Sequence, residues 1–363
     1  MKLPDSPHLR LFLRRLLLGI GLAGLFAWLA LRPQPGTDAR LVEREFLALG
    51  TLVSLSLYLD ENQERAVAEA ALRDVEAFLR AYERRWRAWG DGELAQLNGR
   101  LAQGEAVPIP PAMTRLFARA AALSAASGGR FDVRLGRLVE LWGFHDATHF
   151  RSAPPEPQAI RGIVDALAAA PPLVPGAGRY GPAPQVWLDF GAIAKGDATD
   201  LAVERLRAAG FANGIVNLGG NLRTAGRRGE RRWRIGIRHP RPDTGRQLLA
   251  TIETGDDEAV ITSGDYERYF EHGGRRYHHL LDPHTGYPAS GLQTVTVIAS
   301  EGALADAAST ALFVAGADAW RDTARALGID QAFVVDRDGR VQITEALAQR
   351  VHFADGVRAE TVP

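Results

Sequence analysis

From residue 186 to the C-terminus, short β-prone runs are interrupted irregularly by helical segments, and this order restricts the fold more than any other feature. The runs lie at 186–190, 213–218, 232–238, 247–253, 258–262, 293–299 and 332–336, with helices at about 196–209, 302–314 and 317–327. Regular βαβ alternation, which a doubly wound parallel sheet requires, is missing. The pattern therefore predicts an α+β class with mixed strands and helices. Upstream, residues 46–58 alternate near their end as a strand does. Residues 62–87 place Val67, Ala71, Val75, Phe78, Leu79, Tyr82 and Trp86 on one helical face. A further helix is predicted at 111–126, stopped by Gly128-Gly129. Residues 153–184, rich in Pro, Ala and Gly, read as a short helix with loops. No internal repeat is present, and 40–358 reads as one domain.

The first 35 residues read as a targeting segment. Lys2, Arg10, Arg14 and Arg15 precede an unbroken apolar or glycine run from Leu16 to Leu31, closed by Arg32-Pro-Gln-Pro-Gly. As a helix this run spans roughly 24 Å, a little short of a hydrocarbon core of about 30 Å, and Arg14 and Arg15 can snorkel to extend it. Leading basic charge predicts a cytoplasmic N-terminus and an exported remainder. An uncleaved transmembrane anchor is the favoured reading; cleavage after a small residue near Ala27 or Ala30 is the alternative. The chain has no cysteine, which excludes disulfides, thiolate metal sites, a cysteine nucleophile and lipid attachment at cysteine. A formal net charge of zero gives no electrostatic case for nucleic acid.

Four segments combine glycine, carboxylate and hydroxyl residues beyond what packing needs. In Leu188-Asp-Phe-Gly-Ala-Ile-Ala-Lys-Gly-Asp-Ala-Thr-Asp200 a strand is predicted to end at Asp189, a turn follows, and Lys195 opens a helix. Lys195 and Lys2 are the only lysines among 43 basic residues. Backbone N–H groups at a helix start, with an ammonium, suit a pyrophosphate; a capped strand-to-helix turn is the plain alternative. The sequence lacks a P-loop and a dinucleotide-binding glycine fingerprint.

Asn217-Leu-Gly-Gly-Asn221 lets the backbone approach a ligand or a strand closely, and a plain tight turn serves equally. Ile261-Thr-Ser-Gly-Asp-Tyr266 precedes Arg276-Tyr-His-His-Leu-Leu-Asp-Pro-His-Thr-Gly-Tyr-Pro288. Four of the nine histidines fall between 272 and 284, but no zincin spacing accompanies them and no third ligand can be placed. A base or positioning role for one histidine fits better. In Ala305-Asp-Ala-Ala-Ser-Thr310, Asp306 and Thr310 share one helical face. A hard cation such as Mg²⁺ takes such an oxygen pair, while an Asp near an N-cap with a back-bonding Thr is the alternative.

Taken together in order, these segments resemble the ApbE family of FAD:protein FMN transferases, formerly described as thiamine-biosynthesis lipoproteins. The likeness runs from about Leu49-Gly-Thr51 to Gly316. It also takes in Gly92-Glu-Leu-Ala-Gln-Leu-Asn98, Phe131-Asp-Val, Leu141-Trp-Gly-Phe144, Thr262-Ser-Gly-Asp-Tyr266 and His279-Leu-Leu-Asp-Pro-His-Thr-Gly286.

The resemblance implies a single flavin transferase domain that uses Mg²⁺, with FAD as substrate. FMN passes to a threonine hydroxyl of a partner protein and AMP leaves. It implies Leu49 (usually Met in the family) and Trp89 lining the flavin pocket, with Arg130, Phe131, Asp132, Asp189, Lys195 and Leu281 as FAD contacts. Mg²⁺ would be held by the carbonyl of Ala192, Asp306 and Thr310, with Ser309 where some relatives carry a second Asp. His279 is the candidate base, with Lys195 beside the phosphates. The acceptor is expected in a membrane redox complex, of the sodium-pumping NADH:quinone reductase or Rnf type. The enzyme is expected to be a single-pass inner-membrane protein facing the periplasm. A hydrolase splitting FAD into FMN and AMP, and a non-catalytic FAD-binding protein, are the competing readings.

Overall fold

The computed structural model describes residues 39–146, 151–241 and 247–363. By its contacts the chain divides into Met1–Leu41 and Val42–Pro363, and the architecture below is that of the second unit. The proposed anchor at 1–35 lies outside the described residues, among which no helix is long and apolar enough to cross a membrane.

A nine-stranded sheet forms the centre, with spatial order equal to chain order. Its strands are Leu41–Ala48, Thr51–Tyr58, Gly214–Leu218, Asn221–Ala225, Asp257–Gly264, Leu292–Ala299, Gln331–Asp336, Val341–Thr344 and Ala359–Val362. From Thr51–Tyr58 to Val341–Thr344 each neighbouring pair is antiparallel, and the last pair is parallel. The α+β class is borne out.

The two-residue period of a strand divides the core into two layers. Val53, Leu55, Val216, Leu218, Ile261, Val295 and Val297 point to one face and form the main core with the helices. Their alternates Val260, Ile298, Phe333 and Val335 point to the other face. There they meet Ile235, Ile237, Leu249 and Ile252 of a smaller sheet ordered Val351–Phe353, Leu248–Glu253, Arg234–Arg238. Covered on both faces, Leu292–Ala299 is buried along seven of its eight residues, which explains why all but Gln293 are apolar or threonine.

The helices, in chain order, are α1 (Arg65–Trp86), α2 (Glu93–Ala102), α3 (Pro111–Ala126), α4 (Gly136–Leu141), α5 (Pro157–Ala169), α6 (Ala194–Ala208), α7 (Gly302–Leu327) and α8 (Glu345–Ala348). The face of α1 is as predicted except at Val67, which is exposed; Ala68 and Leu72 complete the buried stripe instead.

Two further predictions are corrected. The single strand at 46–58 is two strands, because Leu49 (φ 53°) and Gly50 (φ 69°) form a left-handed two-residue turn of the kind that matches hairpin twist. The run 186–190 is extended but is not a strand of the sheet. It makes one isolated bridge, Trp187 with Leu135, and is held by Asn98, whose amide bonds both Leu188 N (2.8 Å) and Leu188 O (2.9 Å). The two helices predicted at about 302–314 and 317–327 are borne out, since α7 is broken between them at Gly316 (φ 74°, ψ −178°).

Candidate active site

Two helices with glycine at their contact build the site. Gly196 in the first turn of α6 lies directly against Gly302, the first residue of α7, with no room for a side chain on either. Glu301, at the start of α7, supplies no side-chain cap. Asp200 of α6 does so from across the contact, accepting from Gly302 N at 2.7 Å and Ala303 N at 3.0 Å. Arg223 holds Asp200 at 3.0 Å and Asp257 at 2.7 Å. Buried Asp197, adjacent to Gly196, accepts from the Tyr82 hydroxyl at 2.7 Å and pairs with Arg115. These bonds fix the helix starts, so the groups they carry keep their relative positions.

The result is a buried carboxylate at a helix N-terminus. Asp306 accepts from Gly196 N at 2.9 Å, a favourable placement for negative charge. Burial raises its carboxyl above the usual range, opposed by Lys195, the Gly196 N–H and Asn221. The Asn221 Nδ2 is itself buried without a hydrogen bond of ordinary geometry. Lys195 bonds the Gly191 carbonyl at 3.3 Å and has no carboxylate within ion-pair reach among the described residues. Asp189 accepts from Gly191 N at 2.9 Å. Burial raises its carboxyl too, against the pull of Gly191, Arg268 and Lys195.

His279 faces this cluster from the other side. Its N–H (3.0 Å) and its Nδ1 (3.3 Å) both meet the carbonyl of Arg268. Nδ1 therefore carries the proton, and Nε2 is left with a free lone pair. Burial first, then Arg268, His278 and Lys195, hold the imidazole well below its usual range, so it is neutral near pH 7. Neighbouring His278 is a different case: Nε2 donates to Ala289 O at 3.0 Å and Nδ1 accepts from Leu280 N at 3.3 Å. Both its nitrogens are engaged, so it is structural.

Asp189, Lys195 and His279 are half-buried and Arg268 is exposed, and both Asp189 and His279 feel the charges of Arg268 and Lys195, so the four lie near one another. Trp89 lies against His145, with ring centroids 5.6 Å apart and planes tilted by 42°, and its buried indole N–H is unpartnered. Leu49 packs beside the main core at the hairpin turn. Of the 130–132 segment, Arg130 lines a cavity of about 390 Å³ with Gly128, Asp282, His284, Val314 and Ala315. Phe131 is fully buried in the main core, and Asp132 is engaged by Arg134 through its side chain at 2.6 Å and its N–H at 2.8 Å. Leu281 packs into a third apolar cluster with Leu138, Trp142, Phe144 and Ile160.

The oxygen set read as a cation site is partly assembled. Thr310 lies one turn beyond Asp306 and is half-buried, as is Ala192. Ser309 is fully buried, and its hydroxyl is engaged by Ser263 (2.8 Å) and the Asp306 carbonyl (2.9 Å). Among the described residues no three His, Asp or Glu side chains gather as a metal site. One buried carboxylate with neutral oxygens is a donor set for a hard cation that keeps water and phosphate as its other ligands. Asp306 is buried with no ion pair among the described residues, and a carboxylate so placed is stabilised by a cation.

Arg268 and Asn221 were not singled out from the sequence. Asn221 ends the quoted Asn217–Asn221 motif, and its register opposite Leu218 and Ile261 turns it to the helix face. Arg268 had no available signal, being one arginine among many.

A mixed α+β scaffold thus brings an ammonium, a guanidinium, a neutral imidazole and a buried carboxylate near one another, a set of groups suited to an anionic ligand. The ApbE family model matches residues 49–333. The FAD:protein FMN transferase of Rhodobacter capsulatus is 36% identical over 326 residues, 87% of this chain and 59% of that protein. The FAD:protein FMN transferase of Treponema pallidum is 34% identical, covering 88% of this chain and 92% of its own. Among solved structures, the Thermotoga maritima ApbE protein superposes with a TM-score of 0.74 at 32% identity, over 85% of this chain and 99% of that one. The apo flavinyl transferase ApbE of Pseudomonas stutzeri gives 0.72 at 31% identity, over 87% and 98%. The chain belongs to the ApbE family.

Proposed function

We propose that this chain transfers the FMN moiety of FAD to a threonine hydroxyl of a partner protein, with release of AMP. The observation that carries the reading is the 2.9 Å bond from Gly196 N to Asp306. It joins the lysine-bearing turn to the helix of oxygen donors and makes one phosphate-handling centre from two distant segments. The relatives named above support the flavin and the protein acceptor.

Lys195 and the N-terminus of α6 bind the diphosphate and draw off its charge. His279 Nε2 takes the hydroxyl proton of the acceptor, its ring held by the Arg268 carbonyl. Trp89 and Leu49 cover the flavin. Asp306, Thr310 and the Ala192 carbonyl would hold Mg²⁺, and when bound it supplies charge neutralisation on the phosphates. The anchor at 1–35, a periplasmic domain at 40–358 and an acceptor in a membrane redox complex complete the proposal. Sharing one membrane raises the encounter concentration of the two proteins.

The test is incubation of the protein with FAD and Mg²⁺, with and without an acceptor peptide containing threonine. Flavin fluorescence migrating with the peptide, together with equimolar AMP, is expected. AMP without peptide would instead identify an FAD hydrolase, and no product in either arm a binding protein.

A further inference from the structure

Arg268 lies between the strand Asp257–Gly264 and the strand Tyr269–His272. The acids flanking it are engaged elsewhere. Asp265 takes two bonds of 2.7 Å from Arg241 and lies 3.7 Å from Arg276, and Glu267 pairs with Arg238. Arg268 has no carboxylate within ion-pair reach among the described residues; its Nη1 bonds the Phe144 carbonyl at 3.2 Å. Its side chain is exposed, and its charge is felt by Asp189 and His279. Two cations, Arg268 and Lys195, thus lie near His279 and Asp189 with no carboxylate in ion-pair reach among the described residues.

A guanidinium with no ion pair keeps its donors open to an incoming anion. A guanidinium fork matches two oxygens of a phosphate, which the point charge of Lys195 cannot do. We propose that Arg268 is a further catalytic residue, binding two non-bridging oxygens of the phosphoryl group as it is transferred. The inference rests on the transferase reading above and adds a residue to that reaction. The threonine Oγ–P bond forms and the P–O bond to AMP breaks. The hydroxyl proton goes to His279 Nε2, and the electron pair leaves with the AMP oxygen. Because the Arg268 carbonyl also orients His279, one residue sets both the base and the electrophile. Its charge helps to keep that imidazole neutral.

The experiment compares wild type, Arg268→Gln and Arg268→Lys by calorimetry with inorganic pyrophosphate and with riboflavin, and by steady-state transfer. For Arg268→Gln we expect at least tenfold weaker pyrophosphate binding, unchanged riboflavin binding, and a loss in kcat of about a hundredfold that exceeds any change in KM. Arg268→Lys keeps the charge without the fork, and should lose at least tenfold in kcat even where the glutamine variant fails to fold. Added guanidinium should restore part of the turnover of Arg268→Ala. Unchanged pyrophosphate affinity in a folded Arg268→Gln protein, or wild-type kcat in Arg268→Lys, overturns the proposal. Weakened pyrophosphate binding in a protein that flavinylates nothing would uphold the anion ligand and sink the transferase reading alone.

Discussion

A methyl group built on Gly196 would lie 2.1 Å from the carbonyl oxygen of Gly302, and one built on Gly302 would lie 2.4 Å from the carbonyl of Gly196. The obstructing atoms are backbone, so neither contact can be relieved by a rotamer change. Gly196→Ala is expected to push α6 and α7 apart, destabilise the fold by about 1–3 kcal/mol, and lengthen the Gly196–Asp306 bond. Chemical denaturation and FMN transfer, measured on the same preparation, check both effects. A fully active alanine variant of unchanged stability would refute the close helix contact.

Asp306 is the only carboxylate in the oxygen set proposed for Mg²⁺. Asp306→Ala should abolish metal-dependent transfer and reduce Mg²⁺ affinity at least tenfold in calorimetry. Asp306→Asn retains the shape and loses the charge, and should behave like the alanine variant. Unaltered Mg²⁺ affinity in both would remove the residue from the ligand set.

The base assignment carries a pH signature. With its pKa held below the ordinary histidine range, His279 stays unprotonated as the pH falls through 6.5. The acid limb of kcat/KM should therefore lie below pH 6.5. It should move upward in Arg268→Gln, because a neighbouring positive charge that disfavours the imidazolium has been removed. His279→Ala should lose the limb along with most of the rate. Wild-type transfer by His279→Ala would end the assignment.

His278 makes a separate prediction about stability. Burial lowers its pKa from 6.5 to about 4, so between those values the unfolded chain takes up a proton that the folded protein refuses. The contribution of this group is constant above pH 6.5 and falls as the pH drops toward 4. The slope is at most about 1.4 kcal/mol per pH unit and the total about 3 kcal/mol. Comparing unfolding free energies of wild type and His278→Gln from pH 7 to 4.5 isolates it. Parallel curves would show that the ring titrates normally.

Asp200 acts as a cap supplied by another helix. Asp200→Ala leaves two N–H groups of α7 unbonded and the buried Arg223 with one partner fewer, for an expected loss of about 1–3 kcal/mol. Asp200→Asn keeps one acceptor and should lose less. Equal stability of the two variants would show that the carboxylate charge, not the capping geometry, is what matters.

The sequence pattern reached the class of the fold because it depends on the order of elements, which is local. The strands Leu292–Ala299 and Gln331–Asp336 and helix α3 lie within a residue of where their composition puts them. Local reading failed where a single dihedral or a distant partner decides. Nothing in Leu49 announces φ 53°, and the run ending at Asp189 is kept out of the sheet by Asn98, ninety residues away. Within the site, Asp306 and Lys195 were legible because a carboxylate at a helix start and a lone lysine in a glycine turn are unusual. Arg268 was not, because its importance lies in which acids its neighbours have already taken. Phe131 was named as an FAD contact through the family resemblance, and nothing in its local sequence signals that its ring is buried in the main core.

The break at Gly316 separates α7 into two mechanical parts. The part bearing Asp306 and Thr310 is tied at its beginning to α6. The part after the break carries Trp320, buried and bonded to Gln342 at 3.1 Å, and belongs with the last strands. A helix conveys displacement along its axis only while its hydrogen-bonded turns are continuous, so strain introduced behind Gly316 dissipates there. The C-terminal portion of the fold is accordingly the place to graft a reporter or a surface-immobilisation handle while leaving turnover intact.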